Sequence, residues 1–197
     1  GEIADGLIPS ASPFYDPNGT KISYDPEKAK ELLDEAGWDG SQTIAYYVGS
    51  NDEVAVRASQ VVEQNLEAVG IDVDIRTVDF ATLMEVGGSD EVDMFSVQYT
   101  ITPNDYYADV LTLADIEGES WTGGFFSPEL DEILQATQET TDNAELTKLF
   151  RQMNEIIIDE VPIFSLYFLS NIGAVSDRLE NAKPTLYGAF NNVHEWD

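Results

Sequence analysis

The chain has 197 residues, 43% of them hydrophobic, which suits one large domain or one and a half small ones and excludes a disordered chain. It has no cysteine, so disulfides, thiolate metal sites and cysteine nucleophiles are excluded together. Asp and Glu number 38 against 9 Lys and Arg, and a net charge of -29 excludes nucleic acid, whose phosphates need a basic face.

The first strong local signal is "SYDPEKAKELLDEAGW" at 23–38. Asp25 is placed to accept from a free amide at a helix start, and Pro26 suits the first helical position. Glu27 adds negative charge near the positive end of the dipole. Ala29, Leu32, Leu33 and Ala36 make an apolar stripe, and Gly37 supplies a left-handed stop. The spacing predicts a helix over 26–36. "TIAYYVG" at 43–49 is short and β-rich, which predicts a strand. From 52 to 69 the period is helical, with Val54, Ala58, Val61, Val62, Leu66 and Val69 on one side and Gly70 at the end. "IDVDIRTV" at 71–78 alternates: Ile71, Val73 and Ile75 face one way, and Asp72, Asp74 and Arg76 face water. "FATLMEV" at 80–86 reads as a short helix. "VDMFSVQY" at 92–99 reads as a strand, dense enough in apolar residues for both faces to be covered.

Residues 100–126 are irregular. "SPELDEILQAT" then predicts a helix with Ser127 as cap, Pro128 first, and Leu130, Ile133 and Leu134 inward. Another helix starts at Asp142, with Glu145 in capping-box spacing and a stripe of Leu146, Leu149, Phe150, Met153, Ile156 and Ile157. Pro162 ends it. "IFSLYFL" and "IGAVSD" follow as strand-like pieces, and the tail from 178 to 197 is polar and aromatic. Strands alternating with helices indicate an α/β architecture.

The acids are spread through segments that also carry apolar periodicity, which places them over the whole surface of a folded domain. At about 1 M salt the Debye length is only ~3 Å, and most of the self-repulsion is screened. The composition therefore predicts a protein of a salt-loving microbe; the alternative is an acidic protein with a basic partner or a cation load. No apolar run approaches the ~18–20 residues needed to cross a bilayer. The opening "GEIADGLIPSASPFYDP" has no basic region followed by an apolar one, so it is not a signal peptide, and it reads as an internal stretch of a longer chain.

Motifs for enzyme chemistry are missing. No nucleophile elbow, zinc-binding helix motif or phosphate-binding glycine loop occurs. The lone histidine, His194, reads as a surface or packing residue. "IDVDI" lacks the glycine and terminal glutamate of a calcium loop and reads as a solvated face. Asn18-Gly19-Thr20 matches the acceptor pattern for an N-linked sugar. The candidate binding residues are aromatic and polar: Tyr99, Thr102, Asp105, Tyr106 and Trp121, just beyond the strand at 92–99. Ligands of α/β sheets sit at the carboxyl ends of the strands, where rings stack on a solute and polar groups orient it. The other reading of Tyr99 and Trp121 is that they pack the long loop.

Five segments, in order, carry a resemblance. "YDPEKAKELLDEAGW" resembles the Tyr-Asp-Pro-(Glu)-Lys-Ala-x-x-Leu-Leu-x-x-Ala-Gly segment of the dipeptide/oligopeptide/nickel class of ABC-importer solute-binding proteins. "VVEQNLEAVGIDVDIRTVDFATLME" is similar to that family's helix, Leu-x-x-x-Gly-Ile strand and next helix. "DMFSVQY" resembles its strand leading into the ligand loop, and "FSPELDEILQAT" its Pro-Glu-x-Asp helix. "LFRQMNEIIIDEVPIFSLYFLSNIGAVSDRL" resembles its closing helix and the strand after it.

The resemblance implies one lobe of a type II periplasmic-binding-protein-like fold, α/β, with a mixed sheet and flanking helices. Residues 1–162 would form the lobe, and 163–197 would cross back toward an N-terminal lobe carried upstream. It implies a non-enzymatic, monomeric, extracellular protein without a cofactor, held to the membrane through an upstream lipid signal. Such a protein captures a small polar solute, an oligopeptide or oligosaccharide, and delivers it to an ABC permease. A solute-sensing receptor of the same fold is the first alternative, and an acidic α/β enzyme fragment the second. Peptide-binding members commonly read Trp-x-x-Asp-x-x-Asp-Pro in the ligand loop. Here Tyr99 stands for the Trp, Thr102 for the first Asp, Asp105 for the second and Tyr106 for the Pro. In the family the first Asp pairs with the peptide's amino group, and Thr102 cannot make that charge-assisted bond. With the lone histidine far from this loop in sequence, nickel is poorly supported.

Overall fold

A computed structural model of the protein describes residues 1–87, 89, 92–98, 125, 127–170, 172, 174–183, 190 and 192–196. Strand β1 (Glu2–Ile3) is followed by a looped arm and then helix α1 (Pro26–Ala36). Next come β2 (Thr43–Gly49), α2 (Glu53–Glu67), β3 (Asp72–Val78), α3 (Phe80–Val86) and β4 (Met94–Ser96). Helices α4 (Pro128–Glu139) and α5 (Asn143–Glu160) form a hairpin, and β5 (Tyr167–Phe168) returns to pair with β1. A 3₁₀ turn at Val193–Glu195 lies near the end.

Strands β3, β2 and β4 form a parallel sheet in that order; β1 and β5 form a separate antiparallel pair. From β2 the chain steps one way to β3, then back across β2 to β4. Crossovers of a single hand that step in opposite directions must place their helices on opposite faces. Tyr46 and Val48 accordingly pack under α2 with Ala55, Val56 and Val62, while Ala45 and Tyr47 pack under α3 with Leu83 and Met84. β4 contributes Met94 to the first face and Phe95 to the second, so both its faces are covered. Among the described residues no strand pairs with the outer edge of β3. Its exposed Asp72, Asp74 and Arg76 discourage a further strand from pairing there.

The second core is helical. Leu130, Ile133 and Leu134 of α4 meet Leu146, Phe150, Met153 and Ile157 of α5, and Leu7, Ile8 and Phe14 of the N-terminal arm complete the cluster. Phe14 and Phe150 stack with ring centroids 4.9 Å apart. Asn154 pins the arm by accepting from the Leu7 amide at 3.0 Å. Gly6 permits this approach, since a Cβ there would lie 2.6 Å from Asn154 Oδ1.

The helix ends follow the capping chemistry of the sequence. Asp25 accepts from the Lys28 amide at 2.9 Å, and Gly37 closes α1 at φ 72°. Ser127 accepts from the Leu130 amide at 3.3 Å. Asp142 caps α5, but Glu145 does not reach back to complete a box. Thr140 donates to the Glu145 carboxylate at 2.6 Å and accepts from the Asp142 amide at 3.2 Å.

Three expectations change. The buried seam of α2 runs through Ala55 and Ser59, with Val62 and Leu66 half-buried, whereas Val54 and Val61 face solvent. Small residues win because the sheet already offers the Tyr46 ring there. The apolar stripe of α1 buries no residue, and Leu32 is 53% exposed. The strand-like pieces after Pro162 shrink to Tyr167–Phe168, the length over which β1 offers a partner.

Candidate functional site

The carboxyl edge of the parallel sheet is where this topology opens. Adjacent strands β2 and β3 send their chains to opposite faces, which is the condition for a crevice beyond the strand ends. The floor is tied together: the Ser50 amide donates to the Val78 carbonyl at 2.7 Å, and the Asp52 amide donates to the Gly49 carbonyl at 3.2 Å. β4 leaves the same edge through Val97 and Gln98.

Both helices that start at this edge are capped by aspartate. Asp52 accepts from the Val54 and Ala55 amides at 3.0 and 2.9 Å. Asp79 accepts from the Ala81 and Thr82 amides at 3.0 and 3.2 Å and from the Thr82 hydroxyl at 2.8 Å. The Thr82 hydroxyl and amide hold the Asp79 carboxyl below its ordinary range. Free helix N-termini attract anions. Here the chain's own carboxylates already occupy them, so the edge suits neutral or cationic groups rather than phosphate.

Hydroxyls line the same edge. The Tyr46 and Ser96 side chains hydrogen-bond to one another across β2 and β4. Burial raises the Tyr46 pKa, and the phenol stays protonated at neutral pH. The pKa of Tyr167, on β5, is raised first by burial and then by the charge of Asp52 and by Tyr46. Sequence reading took "TIAYYVG" only as a strand and missed these groups; the signal was a tyrosine hydroxyl on the apolar face of a strand.

The sequence-predicted residues Tyr99, Thr102, Asp105, Tyr106 and Trp121 lie outside the described residues. His194 is exposed beside Glu195. Among the described residues no group of three or more His, Cys, Asp or Glu is placed to hold a metal ion. Two concavities occur elsewhere among the described residues. One of about 20 Å³, room for a single water, lies between the N-terminal arm and α5. The other, an open groove of about 240 Å³, lies at the amino ends of β2 and β3, floored by Trp38, whose indole donates to the Gly70 carbonyl at 3.0 Å.

Residues 1–120 match the profile described as bacterial extracellular solute-binding proteins, family 5 Middle. The chain is 28% identical over 187 residues to the glutathione-binding protein GsiB of Escherichia coli K12, covering 89% of this chain and 36% of that protein. It is 26% identical over 191 residues to a putative ABC transporter peptide-binding protein of Brucella ovis, covering 91% of this chain and 34% of that protein. It thus spans about a third of the length of these relatives. Among solved structures, a putative peptide-binding protein AppA from Clostridium difficile superposes with a TM-score of 0.84 at 19% identity, over 100% of this chain and 42% of that one. The oligopeptide-binding protein AppA from Bacillus subtilis, in complex with a nonapeptide, superposes with a TM-score of 0.79 at 20% identity, over 100% and 42%.

Proposed function

The chain belongs to family 5 of the bacterial extracellular solute-binding proteins, and on that premise we propose that it is one lobe of the capture component of an ABC importer for oligopeptides. The observation that carries this reading is the match of the family profile over residues 1–120, which runs from the N-terminal arm through β4 and beyond it. Relatives named for glutathione and for peptides point to a peptide-type solute.

In this reading Tyr99, Tyr106 and Trp121 stack on the solute, and Thr102 and Asp105 orient it above the carboxyl edge of the sheet. Residues 1–162 form the lobe, and 163–197 reach toward the second lobe. Apolar side chains in and near that last stretch support the assignment: Phe164 is 51% exposed and Ile172 93%. Solute binding favours the closed arrangement of the two lobes, the one a permease recognises. The protein acts as a monomer, held at the outer face of the membrane by an upstream lipid. Thr102 favours one second reading, a neutral solute such as an oligosaccharide, because it cannot pair with an ammonium group.

Uptake separates import from sensing. Cells lacking the gene are expected to lose accumulation of labelled oligopeptides and to regain it with the wild-type gene. Unchanged accumulation of peptides and sugars, with a lost transcriptional response to either, would instead favour the receptor.

A further inference from the structure

We propose that Asn18 is a glycosylation site, with its side-chain amide accepting an oligosaccharide from a lipid-phosphate-linked donor outside the cell membrane. Asn18-Gly19-Thr20 is the single Asn-x-Ser/Thr pattern in the 197 residues. The structure puts it on a formed surface turn. The Gly19 amide donates to the Asp16 carbonyl at 3.1 Å, and the Asn18 amide donates to the Asp16 carboxylate at 2.8 Å. Neither Asn18 nor Gly19 has positive φ, so Asp16-Pro17-Asn18-Gly19 is a type I turn with proline in its favoured second place. Arg151 anchors the turn by donating to Asp16 at 3.2 Å while also holding Glu155 at 3.1 Å. Asn18 and Thr20 are both exposed. The turn uses only their backbone groups: the Thr20 carbonyl accepts from Asn154 at 3.5 Å, while its hydroxyl and the Asn18 side-chain amide point to no protein partner among the described residues.

The transfer needs no oxidant. The Asn18 nitrogen bonds to the anomeric carbon of the sugar, the carbon–oxygen bond to the lipid phosphate breaks with its electron pair leaving on the phosphate, and the amide gives up one proton. The proposal rests on the extracellular address of the family, since the acceptor pattern is one used on surface loops of secreted proteins, and not on the identity of the captured solute.

The test uses the natural protein purified from its source cells. Mass spectrometry of the tryptic peptide ending at Lys21 is expected to show sugar-mass increments on Asn18. Thr20→Val should abolish them and Thr20→Ser should retain them, since both leave the backbone carbonyl that Asn154 uses. A membrane-impermeant label applied to intact cells reports the address separately. An Asn18 that is unmodified, or only deamidated, in protein the label reaches overturns the site alone. The same result in protein the label does not reach overturns the site and the extracellular address together.

Discussion

Val161 holds φ 50° and ψ 43°, a left-handed backbone that a β-branched side chain resists. It sits there because α5 must stop: Pro162 cannot continue the helix, and the Val161 amide still donates to the Ile157 carbonyl at 3.0 Å. Val161→Gly should therefore raise stability by about 0.5–1 kcal/mol once glycine's greater unfolded-state freedom is subtracted. A higher denaturation midpoint at constant m-value is the expected result, and a lower one would contradict the strain. Asp5 gives a pH prediction. The Lys21 ammonium, 2.7 Å away, and the Tyr15 hydroxyl at 2.8 Å hold its carboxyl below the ordinary range against the cost of burial. A depressed carboxyl pKa adds stability that is complete above the unfolded value and is lost as pH falls through the folded one. The stability gap between wild type and Asp5→Asn, measured by denaturation in high salt, should be open at neutral pH and close on acidification below the usual carboxylate range. At this scale the caps at Asp25, Ser127 and Asp142 were readable, where one side chain reaches a backbone group two or three residues on, whereas Asp52 and Asp79 do the same and were not read as caps. The sequence was misleading at Glu145, because Thr140 competes for the same carboxylate.

Elements were legible in proportion to how local their causes are. Helices announced themselves through caps, prolines and glycine stops. The length of β5 was not readable because pairing with β1, more than 160 residues away, sets it. Apolar stripes were read correctly for α4 and α5, which pack on one another, and less well for α1 and α2. Two substitutions test this difference. Phe150 is fully buried against Phe14, and Phe150→Ala should cost about 3–5 kcal/mol. Leu32 lies on a stripe of equal regularity in sequence but is 53% exposed, so Leu32→Ala should change stability by no more than about 0.5 kcal/mol. Equal losses at the two positions, by chemical denaturation, would mean that α1 is buried as deeply as α5.

For the whole molecule, charge is the governing fact. Lys21, Lys28, Arg57, Arg76 and Arg151 all sit within 4 Å of carboxylates, and the net charge remains -29. Salt weakens those exposed pairs, each worth roughly 0–1 kcal/mol, but it also screens repulsion among all the remaining acids. The second effect should win, and the melting temperature should rise from dilute buffer to multimolar salt. Equal stability in both would remove the salt-loving reading. The alternation of elements pointed to the carboxyl edge of a sheet as the place to look for a site, but the order β3-β2-β4 was not readable, because strand pairing sets it. The chemistry of the site was only partly legible: Tyr46 and Ser96 are brought together by the pairing of β2 with β4, which no single segment encodes.

The most direct test of peptide capture is titration calorimetry on the full-length natural protein in multimolar salt, with a panel of oligopeptides and oligosaccharides. Peptides are expected to give saturable heat with a negative heat-capacity change, as apolar and aromatic surface is buried, and Tyr99→Ala should weaken that binding while leaving the melting temperature unchanged. Saturable heat with sugars alone would move the solute class to the neutral reading, and no saturable heat with any peptide or sugar would contradict the account.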